Sequence, residues 1–139
     1  MADIQTIDTA LYKLLKNDTA LNELCTVYKG TKRPSDATNP SVTAGTKGIK
    51  PRDGGGIRIC EIVVIIYADI MANRTADNTT HNAIMSRISE LLADTEIDLE
   101  NAKALPLREK ENTGIEWKSI HDNETFQEIR FELTFIDFS

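Results

Sequence analysis

The feature that most constrains the fold is the longest apolar run of the chain, residues 57–67. It is rich in Ile and Val, whose β-branched side chains favour a strand over a helix. Alternation places the odd residues from Val63 to Tyr67 on one face and the even residues from Ile62 to Ile66 on the other. Because both faces are apolar from Ile62 onward, we expect a central strand whose second half is covered on both sides. The run is too short to cross a membrane as a helix.

Length and charge limit the possible functions. A chain of 139 residues suits a single domain, 1–139. Its formal net charge of −6 argues against a general phosphate-binding surface, which normally carries a basic excess. The two cysteines, Cys25 and Cys60, form no C-x-x-C motif and predict buried, reduced thiols. The first residues lack the basic and apolar regions of a signal peptide, so we expect neither secretion nor a membrane anchor.

Helical periodicity identifies two main helices. Apolar residues at three- and four-residue steps predict a first helix over residues 3–16 with Asp3 as its N-cap. A short helix at 20–24 follows, capped by Asp18 or Thr19. A second apolar stripe predicts a helix that ends near Leu92 and begins at one of the polar residues 78–80. The stripe comprises Ile84, Ile88, Leu91 and Leu92.

The clearest strand pattern is at residues 126–138. Alternation points Ile129, Phe131, Leu133 and Phe135 inward, and Glu128, Arg130, Glu132 and Thr134 outward. Shorter strands are expected near 27–29, 41–44 and 114–120. The order of elements predicts an α+β fold, an antiparallel sheet of four or five strands with two main helices packed on one face. The glycine-rich residues 45–56 are expected to form a mobile loop between two strands.

Catalytic signatures are absent from the sequence. His81 and His121 have no Cys or carboxylate at metal-ligand spacing, and we expect two ordinary surface histidines. The serines lack a G-x-S-x-G elbow. We therefore expect no enzymatic activity, no cofactor and no metal site. Trp117, the only tryptophan, is expected to anchor against the sheet or a neighbouring subunit rather than to stack on bases.

The predicted loop at 45–56 carries a small cationic cluster of Lys47, Lys50 and Arg52. One interpretation is a solvated loop without a partner. The other is an arm that contacts an acidic neighbour and becomes ordered on assembly. The sequence leaves both interpretations open.

Three segments together resemble a known family. They are residues 10–28, which open with Ala-Leu-Tyr-Lys-Leu-Leu-Lys-Asn-Asp, the proline-bearing segment 34–42, and residues 78–92 with the pattern Asn-x-x-x-Asn-x-Ile-x-x-x-Ile-x-x-Leu-Leu. This arrangement resembles the tail-completion, or tail-terminator, proteins of long-tailed bacteriophages and the related head–tail joining proteins. Relative to that family, the strand after Pro40 is less apolar and the 45–56 segment is longer.

The resemblance implies a structural virion protein in the tail or neck, assembled in the bacterial host cytoplasm. It implies a homo-hexameric ring that caps the tail tube and contacts the tail-tube protein and the neck or connector proteins. DNA would pass through the lumen without sequence-specific binding, and no membrane or cofactor would be involved. The resemblance also leaves a neck-connector ring open.

Exposure, rather than a family motif, suggests which residues contact other subunits. These residues are Lys47, Lys50, Arg52, Trp117, Glu128, Arg130 and Glu132. A closed ring needs two different complementary patches on each subunit, which the basic cluster and the last strand would supply. The alternative from another class is a small ferredoxin-like ligand-binding or regulatory module with residues 45–56 as its lid.

Overall fold

The fold is built on two long strands that pair along their whole length. The computed structural model describes residues 3–38, 40–51, 56–69, 79–100, 102–114, 116–117 and 124–137. Its helices are α1 (Ile4–Lys16), α2 (Thr19–Leu24) and α3 (Thr79–Leu92), and its strands are β1 (Thr26–Lys29), β2 (Ser41–Pro51), β3 (Ile57–Asp69), β4 (Ala102–Ala104), β5 (Arg108–Asn112), β6 (Glu116–Trp117) and β7 (Glu124–Asp137).

The sheet confirms the predicted α+β class and the central position of the apolar run. The strand order is β1-β2-β3-β7-β4, and β5 and β6 also pair with β7. β3 lies antiparallel between β2 and β7, in register with β7 from Ile57 opposite Ile136 to Asp69 opposite Glu124. One pairing departs from the predicted antiparallel sheet, because β1 runs parallel to β2.

The core lies between the inner face of this sheet and the helices. The even-numbered residues of β3 from Cys60 to Ile66 are buried there, as are the residues of β7 that were predicted to face inward. The helices contribute a stripe from α1 and a stripe from α3 to the same core. Burial of these side chains supplies the main stabilising term. The core stripes of helix and strand are Ile7, Leu11, Leu15, Ile84, Ile88, Leu92, Ile129, Phe131, Leu133 and Phe135.

The outer face of the sheet is covered over one half by the connection between β1 and β2. Parallel neighbours need such a crossover. The connection passes so close to Gly45 that an added Cβ would lie 2.5 Å from the backbone of Gly30 and Thr31. Further along it, the Arg33 guanidinium stacks on the Tyr67 ring at 3.7 Å. Val63 is therefore 1% exposed, which confirms that this half of β3 is covered on both sides.

The predicted mobile loop at 45–56 is corrected in its first seven residues. Residues 45–51 belong to β2, which pairs with β3 as far as Pro51 opposite Arg58. The glycines are accommodated by a register shift between Lys47 and Lys50, where Gly48 has a φ of +53°. The long partner strand β3 supplies the backbone hydrogen bonds that a sequence pattern does not reveal. Residues 52–55 lie outside the described part of the chain.

The helix boundaries follow local capping chemistry. Asp3 caps α1 as predicted, and its carboxylate accepts a 2.8 Å bond from the Thr6 amide. Asp18 caps α2 through the Leu21 amide, also at 2.8 Å. Asp18 also binds Arg87 of α3, with Nε–Oδ2 and Nη2–Oδ1 distances of 2.8 and 2.5 Å. The same carboxylate therefore starts α2 and holds it against α3.

The prediction of a surface His81 is wrong. His81 is 1% exposed in the first turn of α3, where its ring faces the sheet. Its Nδ1 lies 3.0 Å from the Thr125 hydroxyl and its Nε2 lies 2.9 Å from Gln127 Oε1. The polar residues Thr125 and Gln127 face inward on β7 and provide hydrogen-bond partners for the His81 imidazole, so its burial is stable. His121 lies outside the described residues.

Candidate functional site

The predicted contact residues of β7 form a charged patch on the outer face of the sheet. Its centre is Arg130, whose guanidinium Nε donates to Glu128 at 2.8 Å and whose Nη1 donates to Glu61 on β3 at 3.1 Å. Glu111 of β5 lies 4.0 Å away. The Glu128 hydrogen bond and the neighbouring carboxylates raise the pKa of Arg130 above its ordinary value. We call Glu61, Glu111, Glu128, Arg130 and Glu132 the outer charged patch.

A shallow cleft borders this patch. Its volume is about 230 Å³, and its lining includes Lys50, Ile59, Lys110 and Glu132. Lys110 pairs with Glu132 across the cleft at 3.3 Å. Both side chains are partly exposed, so the pair adds little to stability and stays accessible to a partner. The cleft therefore offers an apolar floor with charges of both signs at its rim.

The structure brings some of the predicted contact residues together and separates others. Glu128, Arg130 and Glu132 lie along one face of β7, and Lys50 lies beside Glu132 in the cleft. Lys47, on the neighbouring strand β2, lies opposite Glu61 of β3. Trp117 lies in β6, and its backbone pairs with that of Thr125 at the other end of β7. Arg52 lies outside the described residues, so its predicted role stays a prediction.

A second concave surface was not predicted from the sequence. A groove of about 910 Å³ runs between α1 and residues 96–100. Its lining includes the apolar side chains of Ala10, Leu14 and Ile97. Among the described residues that line it, Asp3, Glu96, Asp98 and Glu100 are acidic and Lys13 is basic. The alternation of residues 96–100, with Ile97 and Leu99 buried and their neighbours exposed, was the only available sequence signal.

The buried polar residues around His81 also went unpredicted. Gln127 Nε2 donates to Asn112 Oδ1 at 2.7 Å, and Asn112 Oδ1 also accepts the Gly114 amide at 2.9 Å. The network thus ties α3 to β7 and to the end of β5. Burial lowers the pKa of His81, which favours the neutral ring. Polar residues at inward positions of the otherwise apolar β7 alternation were the sequence signal.

The described residues show no catalytic constellation. No group of three or more His, Cys, Asp or Glu within them is placed to hold a metal ion. Cys25 and Cys60 are free and buried, as predicted, and burial raises their pKa values to about 11 and about 12. Both thiols are therefore protonated and unreactive at neutral pH. No helix in the described part of the chain is long and apolar enough to span a bilayer.

Comparison with known proteins shows a likeness in fold to solved structures. No family model and no curated sequence matches the chain. Among solved structures, the fold is similar to that of a chain in the virion of the native gene transfer agent (GTA) particle, with a TM-score of 0.76. The match covers 95% of this chain and 96% of the other at 17% sequence identity. The two chains thus share a fold over nearly their whole length.

Proposed function

We propose that the protein is a structural component of a phage-like virion. It forms a ring at the head-proximal end of the tail tube, ends tube growth and joins the tail to the neck. The observation that carries this proposal is the nearly complete overlap in fold with a chain of a gene transfer agent virion. The sequence resemblance to tail-terminator proteins points in the same direction from independent features.

The surface chemistry supports a binding role rather than an enzymatic one. The outer charged patch and the groove beside α1 provide two different surfaces on one subunit, which a head-to-tail ring requires. The acidic chain, with a net charge of −6, would repel phosphates and let DNA pass without holding it. In this role the protein acts in the virion, after assembly in the bacterial host cytoplasm, and needs neither cofactor nor catalytic residue.

The test is tube capping. The purified protein is gold-labelled and added below stoichiometry to tail-tube protein that is polymerising. We expect shorter tubes in electron micrographs, with label at one end only, and a ring mass near six subunits by light scattering of the capped complex. A variant of the exposed α2 residue Glu23, Glu23→Lys, is the control and should cap normally.

Other outcomes of the capping test separate the alternatives. Label on isolated heads or connectors, with tube length unchanged, would favour the neck-ring role. Binding to neither component would refute the virion role. For the ligand-binding alternative, residues 45–51 of the predicted lid are a paired strand and not a loop.

A further inference from the structure

The strand at one end of the sheet order, β1, carries exposed lysines. Among the strands that the structure describes, β1 pairs only with β2. Lys29 ends this strand and Lys32 follows it in the crossover, and both residues are exposed. Residues 24–35 around them contain no acidic residue. On a chain with a net charge of −6, a local basic surface of this kind indicates contact with an acidic partner.

Helix α1 adds a third lysine to this surface. Lys29 Nζ donates to the Thr9 hydroxyl at 3.0 Å, so the end of β1 lies against the exposed face of α1. Lys16 follows Thr9 by about two helical turns and lies on the same face of the helix. Burial raises the pKa of the Cys25 thiol and the Lys16 ammonium partly offsets that rise, which places Lys16 near the start of β1. We call Lys16, Lys29 and Lys32 the basic edge.

An acidic ridge lies at the other end of the strand order. Residues 94–100 are held against the chain that follows β4, where the Leu107 amide donates to the Thr95 carbonyl at 2.9 Å. Two alternate residues of this stretch, Ile97 and Leu99, are buried, whereas the carboxylates between and beside them are exposed. These carboxylates also line the groove beside α1. We call Glu96, Asp98 and Glu100 the acidic ridge.

Neither surface is neutralised within its own subunit. The three lysines of the basic edge form no ion pair with any residue in the described ranges, and the same holds for Asp98 and Glu100. Glu96 pairs with Lys103 of β4 at 3.2 Å, but both side chains are more than half exposed, so this pair is weak and exchangeable. Each subunit therefore presents a basic and an acidic surface at opposite ends of its sheet order.

We propose that the basic edge of one copy of this chain binds the acidic ridge of the next copy. The inference rests on the proposed ring and assigns its subunit contact. A head-to-tail contact needs two different surfaces on each chain, and it closes into a ring when every subunit uses both. DNA phosphates would attract the basic edge alone and repel the acidic ridge, whereas a second copy provides an opposite charge for both surfaces.

The test exchanges the charges of the two surfaces. The edge variant is Lys29→Glu with Lys32→Glu, and the ridge variant is Asp98→Lys with Glu100→Lys. Self-association is measured by sedimentation velocity at low salt, up to about 1 mM protein, a concentration that detects even weak contacts. We expect each variant to associate at least about tenfold more weakly than the wild type, because attraction becomes repulsion. The two variants change the net charge in opposite directions, so a general charge effect cannot weaken both.

Two rescue experiments decide whether the surfaces bind each other. An equal mixture of the edge variant and the ridge variant should associate to within a few-fold of the wild type, because each reversed surface then meets an oppositely charged one. The combined variant, which carries all four substitutions, should recover in the same way. Misfolding cannot produce either rescue, and a thermal melt of each variant checks the fold. Glu109→Lys, which reverses an exposed carboxylate on β5, is the control and should associate normally.

Three results would overturn the inference. They are unchanged association of the edge and ridge variants, failure of both the mixture and the combined variant to associate, and a wild-type chain that stays monomeric at every concentration. The tube-capping assay uses none of these variants and decides the proposed function separately. A wild type that caps tubes while both rescues fail would refute this subunit contact and leave the virion role intact.

Discussion

The buried His81 network makes a quantitative prediction about stability. His81, Thr125 and Gln127 are 1%, 3% and 1% exposed, so their polar atoms depend on each other rather than on water. In His81→Ala, Gln127 Oε1 loses its partner at an expected cost of about 1–3 kcal/mol. Thr125 keeps a bond to the Ala68 carbonyl at 3.4 Å, which limits its share. Adding the cavity left by the ring, we expect a total loss of about 2–4 kcal/mol.

The assay is equilibrium unfolding in urea, followed by circular dichroism at about pH 8, where His81 is neutral in both states. Asn82→Ala, an exposed neighbour on the same helix, is the control and should cost less than about 0.5 kcal/mol. A double-mutant cycle with Gln127→Ala should give a coupling energy of about 0.5–3 kcal/mol. A loss below about 1 kcal/mol, or additive effects in the cycle, would refute the buried network as a source of stability.

The same residue predicts a pH dependence. The pKa of His81 is lowered in the folded state, so the unfolded chain binds a proton more readily. Stability from this residue is therefore complete above the unfolded pKa of about 6.5 and is lost as the pH falls through that value toward the folded pKa. The free energy of unfolding should decrease from about pH 8 to about pH 5 in the wild type. It should decrease less steeply in His81→Ala, and equal slopes in the two proteins would contradict the assignment.

Three further substitutions test other contacts. Gly45→Ala should lower stability by at least about 1–3 kcal/mol in urea unfolding, because its Cβ would lie 2.5 Å from the Thr31 backbone nitrogen, and an unchanged midpoint would contradict that close approach. Thr43→Val should raise stability by about 1 kcal/mol, because the buried Thr43 hydroxyl has no hydrogen-bond partner, and a loss would show that it has one. Asp18→Asn should remove an acid-dependent step, because Arg87 lowers the pKa of Asp18 to about 2, and the wild type should lose this stabilisation only as the pH falls from about 4 toward that value, as measured by thermal melts in acid.

The helices and strands with a strong periodic pattern were predictable, because each of them packs one face against the core. The alternation of β7 and the stripe of α3 appear in the sequence because one face of each is buried in the same core. The cap at Asp3 was predictable because capping uses only neighbouring backbone groups. In each case a local pattern contains enough information to determine the local structure.

The features that sequence analysis missed depend on distant partners. Residues 45–51 look like a loop, because Gly48 and Pro51 disfavour a strand, and only pairing with β3 makes them one. His81 looks exposed, because its partners Thr125 and Gln127 are more than forty residues away. The groove beside α1 has no sequence motif, since it exists only where residues 96–100 approach the helix.

The division of the sheet into two halves connects the fold with the proposed assembly. From Ser41 to Thr46, β2 is buried, because the crossover lies on one face and α1 on the other. From Lys47 onward it is mostly exposed, although β3 and β7 continue beside it and keep it extended. The side chains of Lys47 and Lys50 in this half are accessible on the surface of the subunit, while Ile49 between them packs against the core. The same feature that leaves this half of β2 exposed in one copy makes it available for the subunit contacts that the proposed ring requires.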